Sequence, residues 1–362
     1  MDTKIDAIGE SKQKKTKTLR VGFIGMGGIA NLHANMYKKI GGVDLVCGCD
    51  IRQAALDHFQ KNHGIQNLYL DFNKMLKEFK DVDAIDVCTP NGVHCAAAVA
   101  AADAGKNVFC EKPMAMSVKE AKMMADAAKR NKVQFVMGFQ HRYEPKSFAI
   151  REQVESGRFG KILYVRAQAL RRRGIPNWGV FGQKKLQGGG PMIDIGVHIL
   201  DTAYSMIGYP NPISATGNTF TYMGNKKSKV KSGWPNWDYK TYTVEDLAVG
   251  MIRFDNGCML TIESSFVAHI EQDVFTVQIM GEKGGAEWSS ANMFFDQGTY
   301  MMNAKPSYLG NWDIWDYKMR HAIEVFRDGR KNECPAEHGI AVQKMLDGVY
   351  ASAAAGKEVA ID

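Results

Sequence analysis

An α/β protein in two parts is predicted: a parallel sheet covered by helices on both faces, then a mostly antiparallel sheet with a few helices. Three observations predict it. Between residues 19 and 139, short apolar runs alternate with stretches of helical spacing. Those runs are nearly continuously apolar, as strands buried on both faces must be. From about residue 160 the texture changes to strand-like runs joined by Gly-containing turns.

The elements follow in order. LRVGFIG (19–25) is the first strand, and apolar residues at 29, 32, 36, 37 and 40 then fall at helical spacing. VDLVCGCD (43–50), DAIDVCT (83–89), NVFC (107–110) and VQFVMGF (133–139) supply four more strands. GVHCAAAVAAADAG and SVKEAKMMADAAKRN lie between them as helices, the second opened by a capping box of Ser117 and Glu120. Further on, ILYVRAQAL, ISATGNTFTYM, LAVGMIRF, CMLTIESSFVA, VFTVQIMG and AEWSS read as strands, with turns at DNG (255–257) and GEKGG (281–285). The domain boundary is expected near 143–150. Residues 1–17 then form a disordered basic tail, 18–143 a first domain and 144–362 a second, whose C-terminal helix can pack back on the first.

The chain has 362 residues, 45% of them hydrophobic, enough for two domains with their own cores. Residues 1–20 hold six basic and three acidic side chains, so the tail supplies +3 of the net +7 and the body only +4. With no aromatic or Arg-rich pattern beside it, the tail reads as solvated, and no nucleic-acid partner is expected. No apolar run reaches the length of a membrane span, so no membrane partner is expected, and the start lacks the apolar run of a signal peptide. Cys47, Cys49, Cys88, Cys95, Cys110, Cys258 and Cys334 sit mostly in apolar runs and read as reduced thiols of a cytoplasmic protein. Cys47 and Cys49 have no second ligand pair at metal-binding spacing, so no metal is expected.

The first strand runs straight into Gly25-Met26-Gly27-Gly28-Ile29-Ala30, a G-x-G-x-x-A turn. Gly25 permits the tight turn, Gly27 lets a pyrophosphate approach the backbone, and Ala30 is small enough for close strand–helix contact. The helix start offers free N–H groups and a partial positive charge to phosphates. The turn sits between strand and helix at the start of a βαβ unit, the context a dinucleotide site needs. Asp50 ends the second strand and can accept bonds from the adenosine ribose hydroxyls. It would repel a 2′-phosphate, which favours NAD over NADP, whereas Arg52 beside it could accommodate that phosphate.

With this turn, TPNGVH (89–94) and EKP (111–113) in place, the chain resembles the Gfo/Idh/MocA family, nicotinamide-dependent oxidoreductases of sugars and cyclitols. The resemblance covers the chain from about residue 18 to the end, through GGGPMIDIGVHILD (188–201). It implies an N-terminal Rossmann domain and a C-terminal α/β domain with an open, mostly antiparallel sheet, whose outer face usually joins the subunits of a homo-oligomer. It also implies a cis bond before Pro113 that directs Lys112. Ligands of a parallel sheet bind outside the carboxyl ends of its strands, so the charges at 111 and 112 are expected to project into the cleft rather than the core. By the resemblance, Thr89, Asn91, Glu111, Lys112 and Gln140 belong to the cofactor site, Glu111 and Lys112 along the nicotinamide ribose. His94 reads either as a cofactor-lining residue or as a core histidine at a helix start.

In GGGPMIDIGVH, Gly188 to Gly190 read as a flexible loop and Pro191 as the first residue of a helix. Asp194 and His198 are then neighbours on one helix face, which Asp201 extends. They read either as a buried, mutually satisfied pair or, by the resemblance and with Lys112, as the catalytic group. His198 would be the general base, Lys112 would steady the forming alkoxide, and Asp194 would hold a neighbouring hydroxyl or orient the imidazole. Arg171 to Arg173 precede GIPNWGVF, and SGWPNWDY (232–239) is a second Trp-rich segment. Arg173, Trp178 and Trp237 are therefore candidate substrate residues, for a sugar ring or an aromatic aglycone, unless these loops simply pack on their own domain or on a partner. The motif set resembles members that oxidise C3 of glucosides; cyclitols stay open. Two other readings are a glycosidase that uses bound NAD for a transient oxidation, and a non-catalytic NAD-binding regulator, which would lack Lys112, Asp194 or His198.

Overall fold

The computed structural model describes residues 17–362, so the expected basic tail lies outside the described residues apart from Lys17. Its first part alternates β1 (Leu19–Ile24), α1 (Gly28–Ile40), β2 (Val43–Cys49), α2 (Gln53–His63), β3 (Asn67–Tyr69), α3 (Phe72–Glu78), β4 (Ala84–Val87), α4 (Asn91–Asp103), β5 (Asn107–Cys110), α5 (Val118–Arg130) and β6 (Phe135–Met137). The six strands lie in the order β3-β2-β1-β4-β5-β6, all parallel. The order reverses between β1 and β4, which opens a crevice at their carboxyl ends. β3 was not predicted, because three residues at a sheet edge carry too little pattern. The capping box at α5 is shifted: Ser117 accepts the Glu120 N–H, but the Glu120 carboxylate reaches the N–H of Met116 rather than that of Ser117.

A short 3₁₀ turn (His141–Tyr143) leads into α6 (Pro145–Glu155), β7 (Ile162–Leu170), α7 (Lys184–Gln187), a π-helical turn (Met192–Gly196) and α8 (Val197–Met206). Then come β8 (Pro212–Phe220), β9 (Leu247–Phe254), β10 (Met259–Ser265), β11 (Val274–Gly281), β12 (Gly284–Glu287), β13 (Asn292–Gln297), β14 (Tyr300–Ala304), α9 (Ile314–Asp328), α10 (Ala336–Ala355) and β15 (Val359–Ala360). These nine strands form one sheet, β14-β13-β12-β11-β7-β10-β9-β8-β15, antiparallel except where β7 meets β10. The run AEWSS is a strand only to Glu287; Trp288 then turns inward and donates its indole N–H to Ser147 Oγ at 2.7 Å. Among the described residues no helix is long and apolar enough to cross a membrane.

The two sheets share one continuous apolar core. α9 packs on α1, and α10 packs on both α5 and β8, so the last helices bind the two sheets together. A buried ion pair adds to this. Arg142 reaches Asp201 through two nitrogens and donates to the carbonyl of Glu333 at 2.9 Å. Asp201 was expected to continue the polar face of Asp194 and His198. Instead it is 1% exposed and committed to Arg142, because a buried carboxylate needs a full charged partner.

Candidate active site

The glycine turn ends β1. Gly25 has φ +85°, and a Cβ there would lie 2.7 Å from the backbone of Cys88 and Thr89, so only glycine fits. Cβ atoms at Gly27 and Gly28 would meet nothing within 4 Å, which leaves open space above the start of α1. No side chain caps that helix start. Asp50, at the end of β2, braces the turn by accepting the Met26 N–H at 2.9 Å, and also binds the Arg52 N–H and Nε. Burial pushes the Asp50 carboxyl up, but these donors outweigh it and hold it below its ordinary value. At the ends of β4 and β6, Thr89 Oγ1 and Gln140 Oε1 are buried without partners. An open phosphate cradle after β1, a carboxylate at the end of the neighbouring β2 and orphaned polar atoms on the other side, after β4 and β6, fit a dinucleotide laid across the crevice. Two neighbouring candidates look inward: Asn91 Nδ2 donates to the Gln187 carbonyl at 2.9 Å. His94 is buried, its ring nitrogens 2.8 Å and 2.9 Å from the carbonyls of Pro113 and Thr89.

The peptide bond between Lys112 and Pro113 is cis. Lys112 Nζ crosses to the second part of the chain, 2.8 Å from the Asp194 carbonyl and 3.3 Å from its Oδ1. Asp194 lies on the π-helical turn, not on the regular α-helix that its spacing predicted. Such a widened turn is frequent at functional sites. The triple glycine before it is not a flexible loop. Glu245 accepts the N–H of Gly190 at 2.9 Å and of Met192 at 3.4 Å, and the Tyr350 hydroxyl donates to the same carboxylate. A Cβ at Gly189 would collide with Tyr350, and one at Gly190 with Glu245, so packing demands the glycines. His198 follows on α8, with Nδ1 buried and unpartnered. Burial first, then the Lys112 ammonium and His141, pull its imidazole well below its ordinary value. His141, absent from the predicted set, stands perpendicular to His198 at 5.3 Å and is itself held by Glu144 at 2.6 Å.

Glu111 departs from expectation: its carboxylate faces the interior, 2.6 Å from Lys318 Nζ and 3.3 Å from His33 Nε2. His33 Nδ1 in turn lies 2.9 Å from Asp86, which also receives Tyr37 and Cys88. The reason is Lys318 of α9, a fully buried ammonium that requires a carboxylate. Burial pushes Glu111 up, but Lys318 and His33 outweigh it and hold it well below its ordinary value. His33, Asp86 and Cys88 bring ligand atoms within 4.8 Å of one another, but Lys318 Nζ at 3.1 Å from His33 Nε2 opposes a cation there.

Residues 19–139 match the oxidoreductase family with an NAD-binding Rossmann fold, and residues 148–287 match the GFO/IDH/MocA C-terminal domain. The chain is 35% identical to D-glucoside 3-dehydrogenase of Escherichia coli over 94% of its own length and 97% of that protein's. It belongs to the Gfo/Idh/MocA family. It is also 27% identical to myo-inositol 2-dehydrogenase of Thermotoga maritima, over 74% of each chain. The fold matches a levoglucosan dehydrogenase in complex with NADH, with TM-score 0.80 and 22% identity over 95% of this chain and 99% of that one.

In this Gfo/Idh/MocA protein the two Trp-rich loops meet. Trp178 stacks on Trp234, 5.7 Å apart with 13° between the rings. Trp237, the residue expected beside Trp178, donates its indole N–H to the Gly224 carbonyl at 2.6 Å and packs on a small cluster with Tyr242 and Phe266. Its indole donor is thus satisfied within its own loop. Arg173 Nη1 is buried without a partner. His33 and Lys318 escaped prediction because a buried histidine or lysine inside an otherwise amphipathic helix looks like any other polar position, and Asp86 because a single carboxylate in the short strand β4 shows no partner in the sequence.

Proposed function

We propose that the protein is an NAD-dependent dehydrogenase that oxidises a ring secondary hydroxyl of a glucoside, at C3. The meeting of Lys112, from the first sheet, with Asp194 and the unpartnered His198 at the mouth of the crevice carries this reading. Similarity to the Escherichia coli D-glucoside 3-dehydrogenase supports the substrate class. The turn from Gly25 to Ala30 would hold the diphosphate and Asp50 the adenosine ribose. Arg52 is already bound to Asp50, which supports NAD over NADP. Thr89, Gln140 and Lys112 would bound the nicotinamide end, Glu111 would hold Lys112 from behind by accepting its N–H, and Asn91 and His94 would brace the loops around it. When bound, the nicotinamide supplies the hydride acceptor.

The residues divide the remaining work. His198 stays neutral at neutral pH and takes the proton of the substrate hydroxyl. The Lys112 ammonium stabilises the oxygen as negative charge gathers on it. Asp194 anchors that ammonium and accepts from a neighbouring hydroxyl. A homo-oligomer through the outer face of the nine-stranded sheet is part of the proposal. A shallow groove there is lined by Tyr164, Thr261, Gln278 and Met280, with the Arg166–Glu263 pair across it. Seven unpaired cysteines support a cytoplasmic location.

The test is direct. Methyl β-glucoside and myo-inositol are incubated with protein and NAD, reduced nicotinamide is followed by fluorescence, and the oxidised carbon is assigned by NMR. A 3-keto glucoside is expected; no reduction of NAD with any hexoside would sink the reading. Light scattering of the native protein checks the oligomer, and a monomer at working concentration rejects it.

A further inference from the structure

Beside the catalytic turn, four flat groups contact one another in succession. The Arg171 guanidinium lies 5.5 Å from the ring centre of Phe266 and 4.8 Å from that of Trp234. Trp234 stacks on Trp178. The series begins at fully buried Phe266 and ends at Trp178, which is 52% exposed. Its base adjoins Asp194. The Arg171 N–H donates to the Ser265 carbonyl at 3.0 Å, and Ser264 Oγ donates to the Pro191 carbonyl at 2.7 Å, where the π-helical turn begins. Burial pulls Arg171 below its ordinary value, and the Asp194 carboxylate is the largest opposing influence. The segment that carries Trp178 runs on to Gln187, whose carbonyl holds Asn91 of α4, so it spans the crevice mouth.

The arrangement is built rather than incidental. Residues 221–246 join β8 to β9 with no regular element, a length that is uncommon unless the loop has work to do. A Cβ at Gly174 would lie 2.6 Å from Arg171 Cδ and 2.8 Å from Trp234 Cε2, so the close approach requires glycine. Arg171 Nη1 is committed to the Gly174 carbonyl at 2.9 Å, which fixes the cation against the indole.

We infer that this stack is an aglycone subsite: a glucoside with a planar aromatic aglycone lays that ring on Trp178, with its sugar at Lys112, Asp194 and His198. The inference rests on the glucoside reading above. An aromatic ring suits the place better than a second hexose. A hexose would need hydrogen-bond partners around its rim, whereas Trp178 is flanked by Trp234 and by Phe181 edge-on at 6.2 Å.

The experiment compares phenyl β-glucoside, methyl β-glucoside and cellobiose in the wild type, Trp178→Ala and Trp178→Phe, by steady-state kinetics and by calorimetric binding with NAD present. Trp178→Ala is expected to raise the phenyl-to-methyl ratio of KM and of Kd about tenfold, the size of one good aromatic contact. Trp178→Phe is expected to restore most of the ratio. An unchanged ratio overturns the inference, as does a Trp178 dependence equally large for cellobiose, which would make the occupant a sugar. If no glucoside reduces NAD, binding decides alone. Trp178-dependent affinity for phenyl glucoside would keep the subsite while the dehydrogenase reading falls, and no preference for phenyl over methyl would remove the subsite.

Discussion

A lysine, a carboxylate and a histidine meet twice in this molecule, on opposite sides of residues 111 and 112. In the deep cluster Lys318, Glu111 and His33 are sealed, and Asp86 completes the set. In the outer cluster Lys112 and Asp194 keep 14% and 10% of their side chains exposed, and His198 Nδ1 has no partner. Burial alone would lower both imidazoles. For His33, Asp86 and Glu111 outweigh burial and raise it above its ordinary value. For His198 the Lys112 ammonium adds to burial and lowers it further. The same three residue types therefore hold charge in one place and leave a base ready in the other. What differs is completeness: the deep cluster has the carboxylate its histidine needs, and the outer one has none on His198.

The largest expected effect separates the clusters by function. His198→Ala should lower kcat by roughly 10²- to 10⁴-fold while the protein still binds NAD, measured by rapid kinetics and dialysis. Retained wild-type turnover would remove His198 from the base role. The next tests the deep cluster: Lys318→Met leaves the buried Glu111 with only His33 beside it, and should cost about 3–5 kcal/mol of unfolding free energy in urea. Adding Glu111→Gln should recover much of that loss, since both charges are then gone; a double variant no better than the single one would break the contrast.

A pH profile sharpens the comparison. A base held below its ordinary value stays neutral across neutral pH, so kcat/KM for oxidation should decline only on the acid side of an ordinary histidine. In Lys112→Gln the residual activity should show that acid limb at higher pH, because a cation that disfavoured imidazolium has been removed. A limb that stays put or moves down would detach Lys112 from His198. The smallest effect expected is Glu245→Gln. It replaces a carboxylate that accepts from Gly190, Met192 and Tyr350 by a weaker acceptor, for a loss of about 1–2 kcal/mol by thermal unfolding.

How much of this was legible beforehand follows from the range of the forces. The turn from Gly25 to Ala30 could be read because its demands are local: a positive φ, a bare backbone and a small residue one helical turn on. Strand ends at Thr89 and Glu111 marked the crevice because apolar runs stop there. Lys318 could not be read, since it lies 207 residues from Glu111 and 285 from His33, on a helix whose spacing looks ordinary. The π-helical turn was hidden too, because the spacing from Pro191 to His198 suits an α-helix equally well. Trp234 and Trp237 differ by three positions in one irregular loop, and no periodicity says which reaches Trp178.

Residue order thus settled the parallel half of the fold, the dinucleotide turn and the chemical types available for catalysis, because each rests on contacts within a few residues. Which lysine is sealed and which faces the crevice, and whether Glu111 looks inward, were decided only when distant helices closed on the first sheet. A buried charge takes the strongest partner in reach, and reach is a property of the folded chain.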